Sequence, residues 1–289
     1  MKNLKLIAID LDGTLLSREM EITKESVEAL REAQSQGNIV MICSGRAPED
    51  IQQILKKYEI SCPLAGSNGT VVQVNERVLE SISMERKDII KVAEKLDEDR
   101  VPYRIYTNHG IYVPADWSER VAFAVKKGIE IEGLPDDIYK RITEQPQKSS
   151  LIKYFNEYSE LFNEKDLTVQ KFFVLTLNSN IKTELGAYLG GISSIAITSS
   201  GPLNIEVMDQ NGNKGNALKK VAEYYGIPLD DTMAIGDNFN DIPMLELAGL
   251  SVAMGNADPI VKEMCDIVTH SNDKNGVAYA INQYILNKN

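Results

Sequence analysis

Short apolar runs alternate with helix-spaced apolar positions at both ends of the chain. Leu6-Ile7-Ala8-Ile9, Ile39-Val40-Met41-Ile42-Cys43 and Thr232-Met233-Ala234-Ile235 are continuous runs, the pattern of strands buried on both faces of a parallel sheet. Val27, Leu30 and Ala33 put one apolar face on a helix over residues 23–36, stopped by Gly37. Pro48 opens a second helix, with Ile51, Ile54, Leu55 and Tyr58 on its apolar face. A short strand over residues 63–66 precedes a hairpin of residues 71–74 and 77–82 around Asn75-Glu76. From Gly212 the alternation resumes: a helix over residues 213–225, then strands over 233–235, 251–254 and 266–269 separated by helices over 241–248 and 259–264, and a last helix over 275–285. The two ends together predict a doubly wound, Rossmann-like α/β core with a parallel sheet.

The middle of the chain has a different rhythm. Helices are expected over residues 87–96, 117–127 and 181–189, and strands over 103–107, 110–113, 171–177, 194–198 and 203–208. This mixture reads as an inserted α+β module, a cap. The expected organisation is a core of residues 1–82 and 209–289 and a cap of residues 83–208, with hinges near 81–83 and 209–212. Residues 128–166 read only as mixed loop and helix.

Composition narrows the partners. The chain has 289 residues, 43% hydrophobic and 25% charged, which suits a globular protein of two domains. A net charge of −11 argues against nucleic acid and anionic membrane surfaces as partners. Cys43, Cys62 and Cys265 are widely spaced and odd in number, so neither a disulfide framework nor structural zinc is expected. Asp10 and Asp12 interrupt the early apolar run, which argues against a signal peptide; a reducing cytoplasm is the expected location. No stretch reaches transmembrane length. Oligomeric state is not legible in the sequence.

The chemistry lies where the apolar runs end. The first stops at Asp10-Leu11-Asp12-Gly13-Thr14, the second at Ser44-Gly45-Arg46, the third at Gly236-Asp237-Asn238-Phe239-Asn240-Asp241. Carboxyl ends of parallel strands form the ligand crevice of an open α/β sheet. Three adjacent strands would therefore gather Asp10, Asp12, Ser44, Asp237, Asn240 and Asp241. Carboxylates crowded there need positive charge, and a hard cation that takes oxygen ligands, such as Mg²⁺, fits. Lys214 opens a helix, where a cation opposes the macrodipole. A phosphate bound at that helix start would relieve the conflict, although a solvated lysine on a frayed turn is the simpler account of that residue alone.

These four segments together resemble the motifs of the haloacid dehalogenase-like hydrolase superfamily, and more narrowly its Cof-type phosphatases with a large inserted cap (type IIB). Ser44 stands where threonine is usual and Asn238 where serine is frequent. The resemblance implies a Mg²⁺-dependent phosphatase acting on a small phosphorylated metabolite. Asp10 aligns with the nucleophile that becomes an aspartyl-phosphate. Asp12 aligns with the general acid and base, and binds metal through its backbone carbonyl. Asp10, Asp12 and Asp237 are the implied Mg²⁺ ligands. Lys214, Ser44, Asn240 and the amides of Leu11 and Gly45 would contact the phosphoryl group, with Asn240 also fixing Lys214.

Several residues have two readings. Ser44 could simply cap the helix after it, and Asp241 could be an N-cap as readily as a supporting residue of the metal site. Arg46 could face substrate or a surface carboxylate. Asn68-Gly69 could be a tight turn or line the crevice. Within the cap, Asn108 and His109 are the candidates for substrate specificity. A sugar phosphomutase, or less closely a phospho-accepting signalling protein, would use a similar residue set. Sugar phosphates, a flavin or its phosphorylated precursor, and pyridoxal phosphate all remain open as substrates.

Overall fold

A computed structural model describes residues 4–128, 140 and 143–288. The chain divides into two compact units: Met1–Ser81 with Gly212–Asn289, and Ile82–Asn211.

The first unit is built on a sheet of eight strands, counted among the described residues. Its order is Ile267–Val268, Leu250–Ala253, Thr232–Gly236, Leu6–Ile9, Ile39–Cys43, Leu64–Gly66, Val71–Val74 and Arg77–Ser81. Pairing is parallel from Ile267–Val268 through Leu64–Gly66, and the last two strands are antiparallel. Leu6–Ile9 is central, and all four of its side chains are fully buried. Each such aliphatic side chain contributes roughly 1.5–3 kcal/mol on burial, which explains the unbroken apolar run. Helix Lys24–Ser35 packs on Gly276–Tyr284, and helix Lys214–Tyr225 on Ile242–Leu247. Register sets the site: Ile9 lies opposite both Ile235 and Ile42, so the residues following these three strands emerge side by side.

The second unit is an α+β module. Its sheet runs Ile195–Thr198, Asn204–Asp209, Val169–Leu175, Tyr103–Thr107, Gly110–Pro114 and Ile152–Phe155. Helices Arg86–Glu98 and Ser179–Gly190 cover one face through Val92, Leu96, Leu185 and Leu189.

Residues 128–166 correct the sequence reading where they are described. Ile152–Phe155 is a strand, paired parallel to Gly110–Pro114, and Tyr158–Asn163 is a 3₁₀ helix. The strand is short and at the sheet edge, and only Phe155 in it is fully buried, so it lacks a strong apolar pattern. The rest of that segment lies partly outside the described residues. No helix among the described residues is long and apolar enough to cross a membrane.

Candidate functional site

Asp10 follows the central strand, and its N–H donates to Ile235 O at 2.9 Å, extending the parallel ladder by one rung. Its carboxylate lies beside those of the loop that follows the neighbouring strand. Asp10, Asp237 and Asp241 bring carboxylate oxygens within 4.8 Å of one another. Lys214 sits among them, fully buried, with Nζ 2.6 Å from Asp10 Oδ1 and 2.6 Å from Asp241 Oδ1. Burial works against the lysine's charge, but Asp10 and Asp241 outweigh it and hold the proton well above the ordinary lysine range. This excludes the solvated-lysine account. The two carboxylates also answer the conflict with the helix macrodipole.

Asp241 is not the side-chain cap of helix Ile242–Leu247. Its Oδ2 accepts from the N–H groups of Asp237 and Asn238, at 2.9 and 3.0 Å, while Oδ1 faces Lys214. It therefore braces the loop that presents Asp237. Thr14 Oγ1 donates to Asp237 Oδ1 at 3.0 Å. Gly13 has φ +82°, and a Cβ there would lie 2.5 Å from Asp237 Oδ2, so glycine is what lets the first loop pass the third.

The carboxylates outnumber the lysine. Burial, reinforced by Asp241, pushes Asp237 up to about 7. Burial likewise raises Asp10, with Asp241 adding to it and Lys214 opposing. Such crowding is the environment a divalent cation relieves. The donors are all hard oxygens, which suit Mg²⁺. Both oxygens of Asp241 already have donors, so Asp10 and Asp237 are the carboxylates that fit such an ion.

Asp12 has a different surrounding. Its side chain is about half exposed and grips Arg46, with Nε to Oδ2 at 2.7 Å and Nη2 to Oδ1 at 2.6 Å. Of the two expectations for Arg46, a carboxylate partner is what the structure shows, and the carboxylate belongs to the site. Ser44 is buried, and its Oγ accepts from the Arg46 N–H at 3.2 Å. It does not cap helix Pro48–Lys57, whose N-cap is Ala47 without a side-chain bond. Leu11 is buried and Gly45 half-buried beside these residues in the chain.

Asn240 corrects another expectation. Its amide donates to Asn68 Oδ1 at 3.2 Å, and the carboxylate partners of Lys214 are Asp10 and Asp241. Asn68 is thus both a turn residue, with φ +63°, and a neighbour of the site. A Cβ on Gly69 would meet Asn213 O at 2.4 Å, so this turn packs directly on the residue that caps the Lys214 helix. Sequence reasoning missed Thr14 as the Asp237 partner and Asn256, whose amide donates to Gly13 O at 2.8 Å. Asn256 lies just past strand Leu250–Ala253, and its place at a strand end was the one signal available.

Asn108 and His109 belong to the second unit, at the turn between Tyr103–Thr107 and Gly110–Pro114. The Asn108 amide bonds the backbone of Asp166 and Thr168, at 2.9 and 2.8 Å, which pins this turn to the start of strand Val169–Leu175. His109 Nδ1 lies 3.2 Å from Glu164.

Comparison with known proteins covers nearly the whole chain. Residues 7–281 match the family model for haloacid dehalogenase-like hydrolases. The chain is 34% identical to phosphatase YwpJ of Bacillus subtilis, covering 96% of this chain and 98% of that protein. It is 32% identical to the 5-amino-6-(5-phospho-D-ribitylamino)uracil phosphatase YwtE of the same organism, covering 98% of each. A solved haloacid dehalogenase-like hydrolase from B. subtilis superposes with a TM-score of 0.85 at 29% identity, over 98% of this chain and all of that one. With the strand-end carboxylates, the buried lysine and this full-length match in agreement, the chain belongs to the haloacid dehalogenase-like hydrolases.

Proposed function

We propose that the protein is a Mg²⁺-dependent phosphatase that hydrolyses a small phosphorylated metabolite through an aspartyl-phosphate on Asp10. The observation that carries this reading is Lys214, buried between Asp10 and Asp241 at 2.6 Å from each. Two unit charges about 4 Å apart repel by about 4 kcal/mol at an effective dielectric of 20, so a carboxylate attacking a phosphate dianion needs counter-charge in place. Lys214 supplies one positive point beside the nucleophile. Asp10, Asp237 and the backbone carbonyl of Asp12 would hold Mg²⁺, which when bound supplies the remaining neutralisation of phosphoryl charge.

In this reading Asp10 attacks phosphorus and the bond from phosphorus to the leaving oxygen breaks. Asp12 gives its proton to that oxygen. A water then attacks the acyl phosphate, Asp12 takes its proton, and Asp10 is restored with release of inorganic phosphate. Ser44 Oγ and the N–H groups of Leu11 and Gly45 orient the phosphoryl oxygens, with Asn240 beside them. Arg46 holds the Asp12 carboxylate, so the pair has to open before Asp12 carries a proton. The second unit serves as the cap that selects substrate. The phosphatase names of the relatives support the reaction class, and one is named for a phosphorylated ribitylamino-uracil.

The test is a screen of purified protein against phosphorylated metabolites, scored for inorganic phosphate, with and without EDTA. Asp10→Asn should abolish release while the circular dichroism spectrum stays unchanged. An isomeric sugar phosphate in place of free phosphate would establish a phosphomutase instead. A single stoichiometric phosphorylation without turnover would establish a signalling protein.

A further inference from the structure

The sheet of the second unit has two unlike faces. Tyr103, Ile105, Phe172, Val174, Ile205 and Val207 lie in the apolar core. Alternation puts Arg104, Tyr106, Lys171, Phe173 and Glu206 on the opposite face. Register sets Arg104 across from Phe173 and Phe173 across from Glu206, with Tyr106 across from Lys171 in the next row.

Among the described residues the charges on this face do not cancel. Lys171 and Glu206 are both almost fully buried and pair with each other. Glu206 also accepts from Ser200 and Asn204, at 2.5 and 3.1 Å. Arg104 has no carboxylate within ion-pair distance among the described residues, and its Nε is buried without a hydrogen bond. Its guanidinium carbon lies 4.9 Å from the Trp117 ring centroid and 5.8 Å from that of Phe173. Burial lowers its hold on its proton, opposed only by the hydroxyls of Tyr106 and Tyr154.

Arg104 as a whole is half-buried, but its Nε is cut off from solvent, and a buried donor of a charged group without a partner is costly. Aromatic faces hold the guanidinium by cation–π attraction, but they leave in-plane donors that suit a carboxylate or phosphate fork. We propose that Arg104, held against Trp117 and Phe173, is the recognition residue of an anion site on this unit, taking a carboxylate or phosphate group of a small metabolite. Two sources share that chemistry: a second anionic group on the substrate, or a separate free anion. Only the first source rests on the phosphatase reading.

Trp117 is the protein's sole tryptophan, so intrinsic fluorescence reports on Arg104 in the full-length protein independently of turnover. Titration with malonate at constant ionic strength should give a saturable change. Arg104→Gln should weaken it by at least about tenfold, the loss expected for a charge-assisted hydrogen-bonded contact. Arg104→Lys keeps the charge but loses the fork, and should bind malonate several-fold more weakly than the unaltered protein. It decides the matter if the glutamine variant fails to fold. The substrate source is tested with glycerol phosphate and phosphoglycerate, which differ by one carboxylate. A fall in the kcat/KM ratio of phosphoglycerate to glycerol phosphate in Arg104→Gln assigns the anion to the substrate. An unchanged ratio with malonate binding lost assigns it to a free anion. No saturable signal in the unaltered protein, or malonate affinity unchanged in both variants, overturns the proposal.

Discussion

Arg46 and Asp12 form a two-point ion pair, Nε to Oδ2 at 2.7 Å and Nη2 to Oδ1 at 2.6 Å, across 34 residues of chain. The proposed proton carrier is therefore held by a guanidinium rather than left free in the crevice. Both partners keep substantial exposure, so the pair contributes little to stability, about 0–1 kcal/mol. Arg46→Lys should leave the urea midpoint nearly unchanged and alter kcat instead, since the lysine cannot reproduce the fork. A large stability loss with kcat intact would give Arg46 a structural role only.

Asp12→Asn should lower kcat by about 10²–10⁴, the usual contribution of a positioned proton carrier. Its Mg²⁺-induced rise in Tm should survive, because the metal contact assigned to residue 12 is a backbone carbonyl. Asp237→Asn should lose that rise. Equal loss in both variants would make the Asp12 side chain a direct ligand.

Lys214→Met should be destabilised by about 3–5 kcal/mol at pH 8, because Asp10 and Asp241 are left buried without their cation. Burial already raises Asp10, so at lower pH it can take up a proton and part of the loss should be recovered. Urea denaturation at pH 8 and pH 5.5 checks this. Turnover should fall with both KM and kcat affected. Unchanged stability and kinetics would remove Lys214 from the site.

The metal-free protein should lose stability as pH rises. Burial raises Asp237 from an ordinary 3.8 to about 7, so the folded state binds a proton that the unfolded chain has released in that window. The Asp237 contribution is fully present below about pH 4 and is lost as pH rises through about 7. Mg²⁺ binds the deprotonated carboxylate, so its stabilising effect should grow over the same range. Thermal melts in EDTA and in Mg²⁺ from pH 5 to 8 report both slopes. A flat profile in EDTA, or one that Asp237→Asn leaves unaltered, would place the proton elsewhere.

Cys43 should be silent toward thiol reagents in the folded protein. Burial pushes its thiol up to about 12. At pH 8 only about one in ten thousand would be thiolate, the reactive form. Ellman's reagent should label it on unfolding and not before. Rapid native labelling at Cys43 would show that the core around it opens.

The core was legible because buried parallel strands are apolar on both faces, a pattern that stands out in one dimension. Leu6–Ile9 and Ile39–Cys43 lie where the runs predict, and the residues that end them lie at adjacent strand ends. The edge strand Ile152–Phe155 was not legible, because three of its four side chains are only half-buried and its sequence carries no strong alternation. Asp241 was ambiguous for another reason. An aspartate before a helix has the same local signature whether it caps that helix or turns back to the backbone of residues 237 and 238.

The sequence by itself determined which residue types stand at the strand ends, the family they belong to and the chemistry such a set permits, because each of these is local. Only the tertiary structure decided who faces whom. Lys214 meets Asp10 across 204 residues and Asp241 across 27, while Asn240 turns to Asn68 across 172. Arg104 comes to rest against Trp117 and Phe173, with no carboxylate at ion-pair distance among the described residues. Sheet register and helix packing set these pairings, and they depend on long-range burial that no window of sequence contains.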